Sequence, residues 1–430
     1  AFSAITGTPS MRRLREFRGL AGLITLAAGL TLASGPVEAA NWPRFRGENG
    51  SGVSDEQGFT SPWNPDRVRW TVPVPGTGHS SPVIWGDKLF LTSASEKGTT
   101  RSVLCFNAQT GKQLWTKSIE LKANPKHPKS SWASATPAVD GERVFVAFAD
   151  VQRYLLLAYD FDGKELWQQD LGGFESQHGE GASPILFDDL VIMANDQDGP
   201  SSIVARDKRT GRPVWTAERN SGAQSTSYAT PFIYRPKEGP PQLICSSSFS
   251  GISGLDPKTG KTIWTTHRLP QRTVASPVLA AGLVLQTCGS GGQGSLMVAV
   301  DPSGHGDVSK SEVRYKRAKL LPYVPTPLMY QSYLFLWCDR GTVCCVDPTT
   351  GKDLWVKRIG GDFSGSPIGA GGMLFNVDEQ GNVVVLAAGP EFKLLGKLPL
   401  GEPSNSTPAV ANGRLYLRTF HHLTCVAARP

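Results

Sequence analysis

Leu255-Asp256-Pro257-Lys258-Thr259-Gly260-Lys261-Thr262-Ile263-Trp264 reads LDPKTGKTIW, and this phrase recurs along the chain. It stands as FNAQTGKQLW at residues 106–115, RDKRTGRPVW at 206–215 and VDPTTGKDLW at 346–355. A version one residue shorter runs from Asp160 through Gly163 to Trp167. Asp or Asn at a turn start accepts hydrogen bonds from backbone N–H groups further on. The following glycine (Gly111, Gly163, Gly211, Gly260, Gly351) supplies the positive φ that a type I turn with a G1 bulge requires. Trp115, Trp167, Trp215, Trp264 and Trp355 each stand four residues after that glycine, on the strand beyond the turn. A large rigid ring at a repeating place predicts a filler between neighbouring units, and no chemistry needs five tryptophans in rotation.

Working outward, a Ser-Pro or Thr-Pro step opens each unit: Ser81, Thr136, Ser183, Thr230, Ser276, Thr326, Ser366 and Thr407. Their spacings are 55, 47, 47, 46, 50, 40 and 41 residues, a period that marks a repeat architecture. After each step an apolar stretch surrounds a tight turn, as at Gly86-Asp87, Asp140-Gly141 and Asn412-Gly413, which signals a hairpin. Two hairpins per unit, with no helical periodicity, predict an all-β, eight-bladed β-propeller of four-stranded antiparallel blades. The 47 glycines suit that many turns. The last unit ends without its Trp strand, whereas VRWTVPV, with Trp70, precedes the first Ser-Pro step. We therefore expect this N-terminal strand to complete the last blade, which removes exposed edges. Blade five carries Tyr315 near the Trp position after a longer loop, and blade seven reads AAGPEFKLLG in place of the signature.

Residues 1–40 stand apart as an upstream extension and secretory signal peptide. Arg12, Arg13, Arg15 and Arg18 form a basic head, Leu20 to Leu32 is apolar, and Val37-Glu38-Ala39 resembles a cleavage site. The apolar run is too short to span a membrane. The expectation is an exported protein of the periplasm or cell envelope, a monomer, with the propeller over residues 41–430. The net charge of +7, with 19% charged residues and no basic run interleaved with aromatics, argues against nucleic acid as a partner. Of the seven cysteines, Cys105, Cys345 and Cys425 take a register position that other blades fill with Ala158, Ala205, Gly254 and Ala299, so they read as small buried residues. Cys344-Cys345 lies in a strand, where alternate side chains face opposite sides. No Cys/His spacing suggests zinc, so no metal site is expected.

The repeated Asp-x-x-Thr-Gly-Lys-x-x-Trp resembles the pyrroloquinoline-quinone (PQQ) repeat of quinoprotein alcohol dehydrogenases and of BamB-like envelope propellers. The lead-in NWPRFRGENGSGVS, residues 41–54, is similar to the opening of exported PQQ-like propellers of planctomycete-type bacteria. The resemblance implies the fold strongly and function weakly, because signature residues build blades rather than hold a cofactor. For a quinoprotein it implies a longer chain, a vicinal disulfide in a loop over the quinone, and acidic and amide ligands for Ca²⁺. Glu180, Asn405 and Asp362 are available for that purpose, but no set matches. For a lipoprotein scaffold it implies a cysteine at the cleavage site, and the first cysteine is Cys105.

The segments before the Ser/Thr-Pro steps all enter innermost strands from one face, so symmetry gathers them around the central channel. They contribute His79, Trp132, His178, Glu180, Tyr228, Arg272, Tyr323, Asp362 and Asn405, a ring able to bind a small ligand. The loop Asn195-Asp196-Gln197-Asp198-Gly199 looks like a calcium loop without its later Glu, and is expected to be an exposed Asx-Gly turn. No Ser/His/Asp nucleophile pattern is present, and no catalytic residue is assigned. The expected function is a non-catalytic binding module or scaffold of the bacterial envelope, BamB-like, with an envelope protein or glycan as partner and no cofactor. The alternatives are a PQQ- and Ca²⁺-dependent dehydrogenase, or glycan or small-molecule binding in the central funnel.

Overall fold

Each Ser/Thr-Pro step leads into a short innermost strand, such as Val83–Trp85, Ala138–Val139 or Ile368–Ala370. The structure, a computed structural model, describes residues 40–59, 65–224 and 226–428. The basic head, apolar run and cleavage-like triplet of the leader fall outside the described residues. Those described belong to one unit, Ala39–Pro430. They form eight sheets, one per repeat, seven of them wholly antiparallel, and the helical content is two short 3₁₀ turns, Glu48–Gly50 and Pro65–Arg67. In blade one, Val83–Trp85, Lys88–Ala94, Thr100–Asn107 and Gln113–Glu120 lie in that order from the axis outward. The second strand is almost wholly buried, whereas the outermost is largely exposed, as expected where sheets stack face to face around an axis. The N-terminal strand Val68–Pro73 pairs antiparallel with His422–Ala427, so the eighth sheet joins the two ends of the propeller chain.

The tryptophans lock blade to blade. The outer-strand Trp70, Trp115, Trp167 and Trp215 pack on Gly111, Gly163, Gly211 and Gly260 of the following blade. Their Nε1 groups donate to turn carbonyls there: Gln109 at 2.9 Å, Phe161 at 2.9 Å, Lys208 at 3.1 Å and Pro257 at 3.1 Å. Tyr315 substitutes in blade five, packing on Gly351 and donating its hydroxyl to Pro348 O at 2.8 Å. Directly across each strand pair from the aromatic sits the small residue: Cys105 opposite Trp115, Ala158 opposite Trp167, Ala205 opposite Trp215, Cys345 opposite Trp355 and Cys425 opposite Trp70. The register of the cysteines is thus set by ring volume. All seven are free and buried, and the Cys344-Cys345 side chains enter different clusters, with blades five and seven respectively.

Blade four departs from the four-strand expectation. The long blade-five loop contributes Gly306–Asp307 as a fifth strand, parallel to Thr262–Thr265. Trp264 is therefore fully buried and turns into its own blade, donating to Gln242 Oε1 at 2.7 Å. Its ring lies so close to Gly254 that no Cβ fits there, which explains glycine at a position other blades give to alanine or cysteine.

The Ser/Thr of each step has a defined task. Its hydroxyl oxygen accepts the backbone N–H of the corresponding residue one blade earlier: Ser81 N to Thr136, Thr136 N to Ser183, Ser183 N to Thr230, Thr230 N to Ser276, Ser276 N to Thr326, Thr326 N to Ser366 and Ser366 N to Thr407, all within 2.9–3.1 Å. At the eighth junction, Ser406 Oγ donates to Ser80 O at 2.8 Å and His79 O at 3.1 Å. The buried N–H groups at seven of the eight steps are thereby satisfied by a belt around the axis.

Candidate functional site: a floored cup on the propeller axis

The axial channel is closed from one side by the chain's own lead-in, residues 41–59. Trp42, Arg44 and Arg46 alternate along it, and each packs on a glycine of positive φ, Gly47, Gly50 and Gly52 respectively. A Cβ at Gly50 or Gly52 would collide with the Arg44 or Arg46 guanidinium. Those guanidiniums reach the carbonyls that follow the hydroxyl belt: Arg44 donates to Pro231 O at 2.8 Å, and Arg46 to Pro327 O at 3.0 Å and Pro367 O at 3.4 Å. Main-chain bonds tie the same segment to blades one, two and seven through Ile84, Val139 and Gly369. Phe45, between the two arginines, lines the cavity that remains above it.

That cavity measures about 690 Å³. The hydroxyl belt and the loops leading into it form its wall. Of the ring residues, His79, His178, Glu180, Tyr228, Arg272, Tyr323, Asp362 and Asn405 all line it. Trp132 is not among the lining residues. It donates Nε1 to Asn124 O at 2.8 Å and lies under Lys126, whose Nζ is 4.9 Å from the ring centre. It thus braces the loop between blades one and two. That loop forms a strap at the mouth: Lys129 Nζ meets Glu379 Oε1 of blade seven at 2.7 Å, and the His127 ring stands edge-on to His178 at 5.1 Å. Lys129, His127, Phe45, Asp339 and Arg340 also line the cavity, and sequence reading had not gathered them. The loop's length between outer strand Gln113–Glu120 and Ala138–Val139 was the available signal for the strap.

Electrostatically the wall is mixed. Glu180 is 1% exposed, and neither carboxylate oxygen has a hydrogen-bond partner. Burial raises its pKa to about 7, partly offset by Arg101. Burial likewise pushes Tyr228 up to about 12; its hydroxyl lies 3.1 Å from Ser176 Oγ. His79 stacks on Phe420 and is pulled well below the usual imidazole range by burial and by Arg418 and Lys126. Burial raises Asp339, although its oxygens accept the Tyr323 and Val324 N–H groups at 2.7 and 3.1 Å. Arg272 leaves its Nε without a partner.

Glu180, Asp362 and Asn405, available for a Ca²⁺ cage of the quinoprotein kind, all line the cup, but among the described residues no three His, Cys, Asp or Glu side chains converge. Asp339 is occupied by backbone N–H groups. Cys344-Cys345 lies within strand Thr342–Val346 and outside the cup lining. The 195–199 loop is not the exposed turn expected. Asn195, Asp196 and Gln197 are buried, Asp196 pairs with Arg219 at 3.2 Å, and Asp198 Oδ1 accepts the Thr226 N–H and hydroxyl. Its acids brace neighbouring loops.

Fold and cup together define a PQQ-repeat propeller with a closed axial pocket. Residues 99–316 and 293–389 match the family described as outer membrane protein assembly factor BamB, and the chain belongs to that family. Outer membrane protein assembly factor BamB of Shewanella oneidensis is 25% identical over 287 residues, covering 64% of each chain, so the match spans less than two thirds of that relative. Among solved structures, a europium-containing methanol dehydrogenase superposes with TM-score 0.69 at 13% identity, covering 89% of this chain and 90% of that one. BamB from Moraxella catarrhalis gives TM-score 0.59 at 16% identity, covering 83% and 95%. At such identities the likeness is one of fold. No helix among the described residues is long and apolar enough to cross a membrane.

Proposed function

We propose that this chain is an exported, non-catalytic binding module of the bacterial cell envelope, and that the floored cup is its binding site. Membership of the BamB family supports the envelope setting. The observation that carries the binding role is the cup itself, a cavity of small-molecule volume whose wall holds Arg272, Asp362, Tyr228, Tyr323 and the fully buried Glu180. Hydroxyls of a glycan fragment would meet Arg272 and Asp362, with Tyr228 and Tyr323 offering ring faces and Glu180 behind them in the wall. The competing reading, a quinone- and Ca²⁺-dependent dehydrogenase, has fold likeness in its favour and the donor set against it.

Calorimetric titration with PQQ, with and without Ca²⁺, separates the two. The expected result is no saturable heat with PQQ, and saturable binding of envelope-derived oligosaccharides that Glu180→Gln weakens. Calcium-dependent, saturable PQQ binding would sink the proposal.

A further inference from the structure

Flanking the plug lies a second cavity, about 340 Å³, that the cup does not share. Its lining combines Pro43, Arg44, Glu48 and Asn49 of the lead-in with inner-strand residues of blades one to four. Trp85, Val139, Leu186 and Ile233 form the apolar side of a wall whose other side is polar. Arg44 and Phe45 are consecutive, so one lines this cavity while the next floors the cup.

Arg44 is the unusual member. It is 7% exposed, its Nη2 donates to Pro231 O, and its Nε has no partner. Among the described residues it makes no ion pair, and the acid nearest to influence it, Glu48, is exposed. Burial lowers its pKa to about 10, which leaves the guanidinium charged at neutral pH. A buried cation whose nearest acid, Glu48, is exposed at the same cavity and forms no ion pair with it is costly. A second guanidinium, Arg235, stands exposed at the rim, 5.7 Å from the Phe187 ring centre.

We propose that this cavity is a binding site for a small carboxylate carried on an apolar body. The carboxylate matches the planar guanidinium fork and supplies the close ion pair that exposed Glu48 does not make, while the body covers Val139, Leu186 and Ile233. A neutral apolar ligand would leave Arg44 without an ion pair, and a phosphate would set a strongly hydrated anion against the apolar side of the wall.

The test is calorimetry on the full chain with hexanoate, hexanamide and inorganic phosphate as probes. Hexanoate is expected to bind with one-to-one stoichiometry, and hexanamide at least about tenfold more weakly, the effect of losing one charge-assisted pair. Arg44→Met is expected to abolish hexanoate binding, and Arg235→Ala to weaken it. Leu186→Trp, which fills the cavity from a half-buried position and leaves the plug intact, is expected to abolish it as well, and decides the matter if the Arg44 variant does not fold. Equal binding of acid and amide, tighter binding of phosphate, no hexanoate binding at about 10 mM, or binding that survives Leu186→Trp would each overturn the assignment.

Discussion

Replacing Gly211 by alanine isolates the contact that holds blade three against blade two. Gly211 has φ +74, and an added Cβ would lie 2.7 Å from Cδ2 and 2.8 Å from Cε3 of Trp167. The backbone conformation alone costs an alanine roughly 1–2 kcal/mol. Pushing a packed ring aside adds roughly 1–3 kcal/mol of overpacking, and stretching the 3.1 Å bond from Trp167 Nε1 to Lys208 O adds up to about 1 kcal/mol. The total is roughly 2–6 kcal/mol. Gly282 is the control: its φ is +80, but nothing lies within 4 Å of an added Cβ, so only the conformational cost of roughly 1–2 kcal/mol applies. Urea unfolding followed by far-ultraviolet circular dichroism compares the two variants, provided the slopes agree. In a Trp167→Ala background the Gly211 substitution is expected to fall to the control's cost, a coupling of about 1–4 kcal/mol. Equal destabilisation by the two alanines, or no coupling to Trp167, would refute the docking argument.

The hydroxyl belt predicts that Thr230→Val, which strands the buried Ser183 N–H, destabilises by roughly 1–3 kcal/mol, while Thr230→Ser stays within about 1 kcal/mol of the parent in the same urea assay. Glu180 predicts a pH signature. Its carboxyl is raised from 4.5 to about 7, so below pH 4.5 both folded and unfolded states hold the proton and there is no penalty. As pH climbs from there through 7, the unfolded state releases its proton first and stability falls, by about 3 kcal/mol in all. Glu180→Gln is expected to lose this fall and to exceed the parent's stability at pH 8. Parallel stability–pH curves for the two proteins would show that Glu180 titrates normally.

The architecture was legible because its signals are local and repeated. The Asp–Gly–Trp spacing lies within one turn and one strand, so Gly211 and Trp215 announce their geometry wherever the blade sits. Cup membership was legible through symmetry alone: residues at equivalent places before the Ser/Thr-Pro steps must converge, and eight of the nine do. Trp132 misled because its loop is long enough to fold back on Asn124, freeing it from the symmetric position. The lead-in was opaque for the opposite reason. Arg44 and Arg46 find their partners 187, 281 and 321 residues away, and no periodicity connects a Trp-x-Arg-x-Arg string to proline carbonyls in blades four, six and seven. The serine and threonine of each step were visible as markers, but their acceptor role depends on the neighbouring blade's backbone, which composition does not reveal.

This division bears on function. The residues that identify the family serve packing: tryptophan to the next blade's glycine, hydroxyl to the neighbouring blade's N–H, small residue to the ring across its own strand pair. The cup is lined by residues outside that signature, with the hydroxyl belt as their common frame. A match carried by the signature therefore reports how the propeller closes and is blind to what it holds, which is how one scaffold can serve an assembly factor and a dehydrogenase alike. What distinguishes this chain lies off the signature. Its own lead-in turns an axial channel into a cup, and Glu180 in the cup wall and Arg44 beside the plug are among the buried groups left with unsatisfied hydrogen-bonding atoms. Those two positions, one acidic and one basic, are set apart by lying in the walls of the two cavities, which is where a ligand could meet them.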